Sequence, residues 1–425
     1  MKPNALPHTL NKLFANPFIR NMSWLGSAEL VNRLFRLGTT VTLARMFTPQ
    51  DYGLMALVYT IYEFALSFSM VMGFGAKIIQ AKESEVRAIC ETTYWLNWIF
   101  CGAIFLGQCL AAYPIAQWYD NDQLIWPLCV SALVYLVFPN YLVQNALIER
   151  RNQLKITALS TVAQSLIANV LTVILALLGL GIWAIVIPML VSAPVWLVFS
   201  WSHCDWRAPR TVRFDQFAAV FRYSKNLLGI ELLSKVRLYA DYLIVGKFLG
   251  VGELGLYYFA FNAGAGITTK VADAYMTSLF PHLCAAREQA GGVRDQYVKS
   301  IKIIAMTLVP LVLLQAIAAP FYVPIIFGQK WVEAVPLLIL VCLSVLPRTF
   351  GEASAELLKA VDQTRLALIL EFCFTVIFMS VLFFTARLGV LAVAQSVLIC
   401  HALILPIMAF GAQRYVFARL AKQSL

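Results

Sequence analysis

Apolar runs of about twenty residues, separated by short polar or basic stretches, follow one another along almost the whole chain. That is the length a helix needs to cross the hydrocarbon of a bilayer. With no water available there, the backbone must satisfy its own hydrogen bonds, so each run predicts a helix. The pattern predicts an all-α polytopic membrane protein with twelve spans, at 22–45, 52–75, 90–112, 124–147, 155–178, 181–201, 224–247, 253–278, 300–320, 333–357, 365–385 and 389–412. The first and seventh are the least apolar, and an internal repeat helps to place them.

That repeat is the strongest long-range signal in the chain. Glu29–Leu54 recurs without a gap as Glu231–Leu256. Glu29 falls on Glu231, Arg33 on Lys235, Arg45 on Lys247, Asp51 on Glu253, Gly53 on Gly255 and Leu54 on Leu256. Of the first copy's charges only Arg36, which meets Leu238, loses its sign. Charge matched to charge inside apolar segments indicates duplication. The organisation read from it is a tail over 1–20, a six-helix bundle over 21–201, a basic linker over 202–222, a second six-helix bundle over 223–412 and a tail over 413–425. The two bundles are related by a parallel repeat about an axis along the membrane normal.

Composition agrees with the pattern: 60% of the 425 residues are hydrophobic and only 13% charged, where a soluble domain carries about a quarter. The formal charge of +11 would suggest nucleic acid in a soluble protein. Here twenty-three of the 33 Lys and Arg fall on one side of the spans and four on the other. By the positive-inside bias that side is cytoplasmic, which puts both termini inside and leaves no role for nucleic acid. Met1–Arg20 lacks an uninterrupted apolar core and reads as a tail lying on the membrane surface, not a cleaved signal. The linker reads as solvated rather than as a site for anionic lipid headgroups. The cysteines and histidines form no metal spacing, so neither a metal nor a cofactor is expected. Trp95, Trp98, Trp126, Trp183 and Trp331 lie near span ends, as interface anchors do. Pro139 and Pro347 are expected to kink spans four and ten. Gly250, Gly252 and Gly255 read as a loop between spans seven and eight.

The informative chemistry lies in charges inside the spans. Each costs about 2.5–3.5 kcal/mol at mid-membrane on the insertion scale, so they should face the protein interior or water. Span one carries Glu29, Arg33 and Arg36 on one stripe. Span seven carries Glu231 with Lys235 and Arg237 with Asp241, each pair four residues apart. Span eight has Lys270 and Asp273, and span ten has Arg348 with Glu352. Glu63 and Glu371 have no basic neighbour along their own helices. One reading makes these pairs locks that hold helices together. The other, favoured by their recurrence in both halves, makes them the lining of a water-filled cavity that meets a charged cargo.

The motif Phe47-Thr48-Pro49-Gln50-Asp51-Tyr52-Gly53-Leu54, with Gly73-Phe74-Gly75-Ala76 and Ile79-Gln80 after span two, resembles the polysaccharide-transporter family. These are the Wzx-type flippases for O-antigen and exopolysaccharide, nearest here to the colanic-acid-exporter branch. Leu147, Arg150 and Lys155 and the run Leu357-Leu358-Lys359 fit the same pattern. The resemblance implies the fold of the multidrug/oligosaccharidyl-lipid/polysaccharide superfamily. It also implies a cargo of undecaprenyl-pyrophosphate-linked oligosaccharide, with a polysaccharide polymerase and a chain-length regulator as partners alongside membrane lipids. Joined to the charges, it makes Arg33, Arg36, Lys235, Lys270 and Arg348 the candidate pyrophosphate and sugar contacts. Glu29, Glu63, Glu231, Asp241 and Asp273 become the cavity acids, which hold the bases in the empty state or couple transport to a proton or sodium gradient; the membrane potential is a further energy source left open. Drug or cation antiport and lipid II flipping fit the same fold. A membrane-embedded polymerase or ligase would need a large periplasmic loop with catalytic residues, and the loops here are short. No Walker A sequence is present. The chain reads as a transporter, not an enzyme.

Overall fold

The computed structural model describes residues 17–69, 71–208, 211–286 and 292–423, with side chains over 31–419 except at a few positions. The tail expected over 1–20 lies outside the described residues as far as residue 16. Almost every described residue is helical, and no strand occurs among them. The helices are α1 Pro17–Met46, α2 Pro49–Phe68, α3 Val71–Gln80, α4 Val86–Trp118, α5 Ile125–Ala132, α6 Leu142–Arg150, α7 Leu154–Leu177 and α8 Trp183–Ser192. There follow α9 Pro194–His203, α10 Phe217–Leu249, α11 Val251–Ala260, α12 Gly266–Ala285, α13 Gly292–Tyr322, α14 Val335–Ala360, α15 Thr364–Thr385 and α16 Val390–Gln423.

Each expected span coincides with one of these helices or with pieces joined end to end. Among the described residues, nine helical stretches are long and apolar enough to cross a membrane. The other three stretches, 17–46, 217–249 and 251–285, are those that carry most of the intramembrane charges. Pro139 interrupts span four, where two short 3-10 turns, Leu133–Leu136 and Phe138–Asn140, separate α5 from α6, whereas Pro347 sits inside a continuous α14. The last helix runs on to Gln423, through most of the tail expected from residue 413.

The chain forms two compact units. The first takes the described residues up to Phe47 together with Val58–Val236, and the second takes Thr48–Leu57 with Arg237–Leu425. The helices α2 and α10 therefore each contribute residues to both.

In the first unit a polar ladder ties α1 to α7. The Thr39 hydroxyl donates to Asn169 Oδ1 (2.8 Å), the Ser165 hydroxyl donates to Asn32 Oδ1, and the Asn169 amide returns to the Ser165 carbonyl (2.7 Å). Apolar surface gains nothing by leaving lipid for a helix, so such bonds and close packing do the holding. Arg150 closes the end of α3, donating to the carbonyls of Ile79 (2.7 Å) and Ala81 (2.6 Å) and to Glu83 (2.8 Å). The linker expected to be solvated is partly tied down. Trp95 Nε1 donates to the Thr211 carbonyl (3.2 Å), and Arg207 donates to the carbonyls of Cys204 (2.6 Å) and Trp201 (3.1 Å).

In the second unit α2 begins with a reciprocal cap. Asp51 accepts from the Thr48 amide (2.9 Å) and hydroxyl (2.7 Å), and the Thr48 oxygen accepts from the Asp51 amide (3.2 Å), satisfying otherwise orphaned donors. The turn from α10 to α11 needs only Gly250, at φ +90°. Gly252 and Gly255 are helical, so the expected loop shrinks to one residue. Trp331 is fully buried, not an interface anchor; its ring stacks on Phe259 at 4.0 Å and meets Tyr52 edge-on at 4.8 Å. Trp126, by contrast, is 70% exposed. Large apolar side chains such as Leu110, Met306, Phe384 and Ile407 point outward, as expected where the surroundings are acyl chains.

Candidate functional site

In the first unit Arg33 and Arg36 stand on an exposed stretch of α1, and Asn32 and Thr39 on the same helix are spent on the ladder to α7. The Glu29 side chain lies outside the described residues, as does that of Arg237. Glu231 is half-buried on α10. One turn further along, Lys235 Nζ forms an ion pair with Glu63 on α2. Local spacing had coupled Lys235 to Glu231 and left Glu63 without a basic neighbour; the fold supplies one from 172 residues away. Both side chains keep some exposure, 21% for Lys235 and 29% for Glu63.

Beside Glu63 the first unit is closely bonded. Tyr62 stacks on Tyr135 with ring centroids 5.2 Å apart. The Tyr135 hydroxyl lies 3.0 Å from the Tyr62 carbonyl and 2.9 Å from Gln108 Oε1. The Gln108 amide donates to the Leu128 carbonyl (2.8 Å) and to the Ser131 hydroxyl (3.2 Å). Tyr135, Gln108 and Ser131 are buried. A fully bonded buried network of this kind specifies position.

In the second unit the ionic side chains gather around Arg348 on α14. Its Nε donates to Glu352 (3.0 Å), and Asp273 and Asp241 lie near enough to interact with its charge. Lys270 donates to Asp273 (3.2 Å) on the more exposed face of α12. Asp241 is buried and accepts from the Tyr257 hydroxyl (2.9 Å) and the Tyr242 amide (2.9 Å). Tyr242 is itself enclosed by the edges of Tyr257, Tyr258 and Phe261. Asp241 is thus held by tyrosine and backbone donors, with the Arg348 charge nearby.

The same unit explains two of the repeat's matches. A β-carbon on Gly53 would collide with the carbonyl oxygen of Val251, and one on Gly255 with that of Pro49. Pro49 and Val251 are themselves repeat equivalents. The starts of α2 and α11 therefore cross backbone on backbone in a contact that maps onto itself under the repeat. Asp51 and Glu253 lie in the first turns of these helices, and Arg45 and Lys247 in the last turns of α1 and α10. There they complement the helix dipoles.

Sequence reasoning missed the ladder, the Tyr135–Gln108 network and the π turn at Phe261–Ala265. In that turn the Gly264 carbonyl accepts from the Gln315 amide. Only the ladder had a legible signal, Ser165 and Asn169 at one-turn spacing in an apolar helix. Among the described residues no group of three or more His, Cys, Asp or Glu could hold a metal ion. Each unit thus sets bases against acids on its spans, Lys235 against Glu63 in the first and Lys270 and Arg348 against Asp273 and Glu352 in the second.

Comparison with known proteins follows the same line. The sequence model of a family described as polysaccharide biosynthesis protein matches residues 42–336. An uncharacterised membrane protein in the cps region of Klebsiella pneumoniae is 24% identical over 91% of this chain and 80% of its own length. The succinoglycan biosynthesis transport protein ExoT of Rhizobium meliloti is 28% identical over 78% of this chain and 66% of its own. The lipopolysaccharide biosynthesis protein WzxC of Escherichia coli is 24% identical over 80% of this chain and 70% of its own. Among solved structures, the lipid II flippase MurJ in an inward closed conformation superposes with a TM-score of 0.75 at 12% identity, over 92% of this chain and 87% of that one. An inward-facing multidrug resistance MATE transporter of the MOP superfamily gives 0.74 at 15%, over 93% and 96%. At these identities the structures speak for the fold alone, and the fold is theirs.

Proposed function

Because the chain belongs to the polysaccharide biosynthesis protein family, we propose that it flips undecaprenyl-pyrophosphate-linked oligosaccharide repeat units across the bacterial cytoplasmic membrane. The product serves O-antigen, capsule or exopolysaccharide assembly. In this reading all twelve helical stretches span the membrane, both termini are cytoplasmic, and the duplicated bundles run over 21–201 and 223–412. The observation that carries it is the presence of basic side chains on membrane-length helices in a chain whose relatives are named for polysaccharide transport and biosynthesis.

A pyrophosphate cannot cross hydrocarbon bare, since an isolated charge there loses its hydration with nothing in return. Arg33, Arg36, Lys235, Lys270 and Arg348 supply donors to its oxygens and to the sugar hydroxyls, and Arg suits the task because its planar fork meets phosphate bidentately. The prenyl tail stays in lipid while the head group passes through water. Glu63, Asp273 and Glu352 neutralise their bases when no cargo is bound. Glu29, Glu231 and Asp241 are the remaining acids available for coupling to a proton or sodium gradient, and the membrane potential can drive the same charge movement. The work is transport, with no bond made or broken. A polymerase and a chain-length regulator receive the product on the periplasmic side.

The test is export in a deletion strain. Loss of the gene is expected to leave lipid-linked oligosaccharide in the cytoplasmic leaflet, with restoration by the intact chain. The double variant Arg33→Gln/Lys235→Gln should restore less than a tenth of that export at normal expression. Wild-type export by this variant would contradict the assignment of these bases to the cargo.

A further inference from the structure

Among the described residues, the Lys235–Glu63 pair differs from the ion pairs of Lys270 and Arg348. Lys270 and Arg348 draw their partners from their own helices, three and four residues away. Lys235 meets an acid from a different helix. Nor does the acid belong to the duplicated pattern: at the repeat's offset Glu63 falls on Ala265.

Glu63 is also held from its own side. Glu63 follows Tyr62, which is pinned through Tyr135, Gln108 and Ser131 into the buried interior. Lys235 carries a compact charge on a flexible four-carbon stem. Both remain open to about a fifth to a third, so a third group can reach the ammonium. A carboxylate and a phosphate present the same kind of anionic oxygen to it, and a pyrophosphate carries the greater charge.

We propose that Glu63 is a built-in competitor for the cargo: its carboxylate takes the place of a pyrophosphate oxygen on Lys235 while the carrier is empty, and cargo binding displaces it. This rests on the reading of the cargo as a prenyl-pyrophosphate-linked saccharide. The pair has two consequences. It sets a negative charge against the ammonium at membrane depth in the empty carrier, and it weakens cargo binding by the strength of the contact that must be given up, so that cargo can leave.

The experiment measures binding of a short-chain prenyl pyrophosphate to the full chain in lipid nanodiscs, with the corresponding prenol as control. Lys235→Gln is expected to weaken binding at least tenfold. Glu63→Gln is expected to tighten it about tenfold, a gain that damage to the fold would not produce. In the Lys235→Gln background, Glu63→Gln should change nothing, because the competition has lost its object. Glu63→Asp should fall near the wild type. Unchanged or weaker binding by Glu63→Gln, with wild-type binding intact and dependent on Lys235, overturns the competitor role and leaves the cargo reading standing. A wild-type chain that binds the pyrophosphate no better than the prenol overturns both.

Discussion

Val251 and Pro49 set the tightest steric limits in the second unit, because their carbonyl oxygens occupy the space where a side chain on Gly53 or Gly255 would begin. Neither oxygen can yield without moving a helix. Gly53→Ala and Gly255→Ala are each expected to destabilise the protein by about 3 kcal/mol, the upper range for overpacking, measured as a loss of melting temperature in detergent. Gly107→Ala is the control: its added methyl meets nothing within 4 Å, and in the middle of α4 it should stabilise by up to about 1 kcal/mol. A different balance holds at Arg348. Its side chain and that of Glu352 are each about a quarter exposed, so Arg348→Ala leaves a partly buried carboxylate unpaired at a cost of about 2 kcal/mol. Arg348→Gln/Glu352→Gln should recover most of that loss in the same melt, since it removes both charges together. Both glycines were visible in the sequence as repeat equivalents; their reason, a backbone crossing, was not.

Elements in this chain differ in what holds them. The ladder Asn32–Ser165–Asn169–Thr39 joins α1 to α7 through side-chain hydrogen bonds, in surroundings where each is worth roughly 1–2 kcal/mol at most. Asn169→Ala removes the centre of the ladder. Faster hydrogen exchange confined to α1 and the facing turns of α7 is the expected outcome, with α13 to α16 unchanged. Equal protection in the variant would mean that apolar packing alone holds α1. Span eight is built differently. Its first half, α11, is fixed by the glycine crossing and by Phe259 stacked on Trp331. The π turn then releases carbonyls that Gln315 takes up, and α12 follows with Lys270 and Asp273 on its more exposed side. Hydropathy marked this stretch as a span, and nothing in its pattern marked the π turn, because the turn depends on a glutamine from another helix.

For the whole molecule, the distribution of Lys and Arg makes a claim that labelling can test. A single cysteine at Arg151, in a chain stripped of its nine native thiols, should react with an impermeant maleimide only when the cytoplasmic face is open. A cysteine at Asp122 should react from the outside in intact spheroplasts. The reverse pattern would invert the topology and place the basic loops on the wrong side for the positive-inside bias.

Class and span positions were decided by the sequence alone, because in hydrocarbon an apolar run of sufficient length has little choice but to be a helix, and that information is local. The repeat was equally legible, since duplication leaves residues in register. Tertiary structure decided which acid meets which base. Glu63 reaches Lys235 from another helix, Asp241 is held by Tyr257 and the Tyr242 amide, and Trp331 turns inward to stack on Phe259. These choices depend on where helices distant in sequence come to lie, and spacing along one helix contains only the partners that the helix itself can offer.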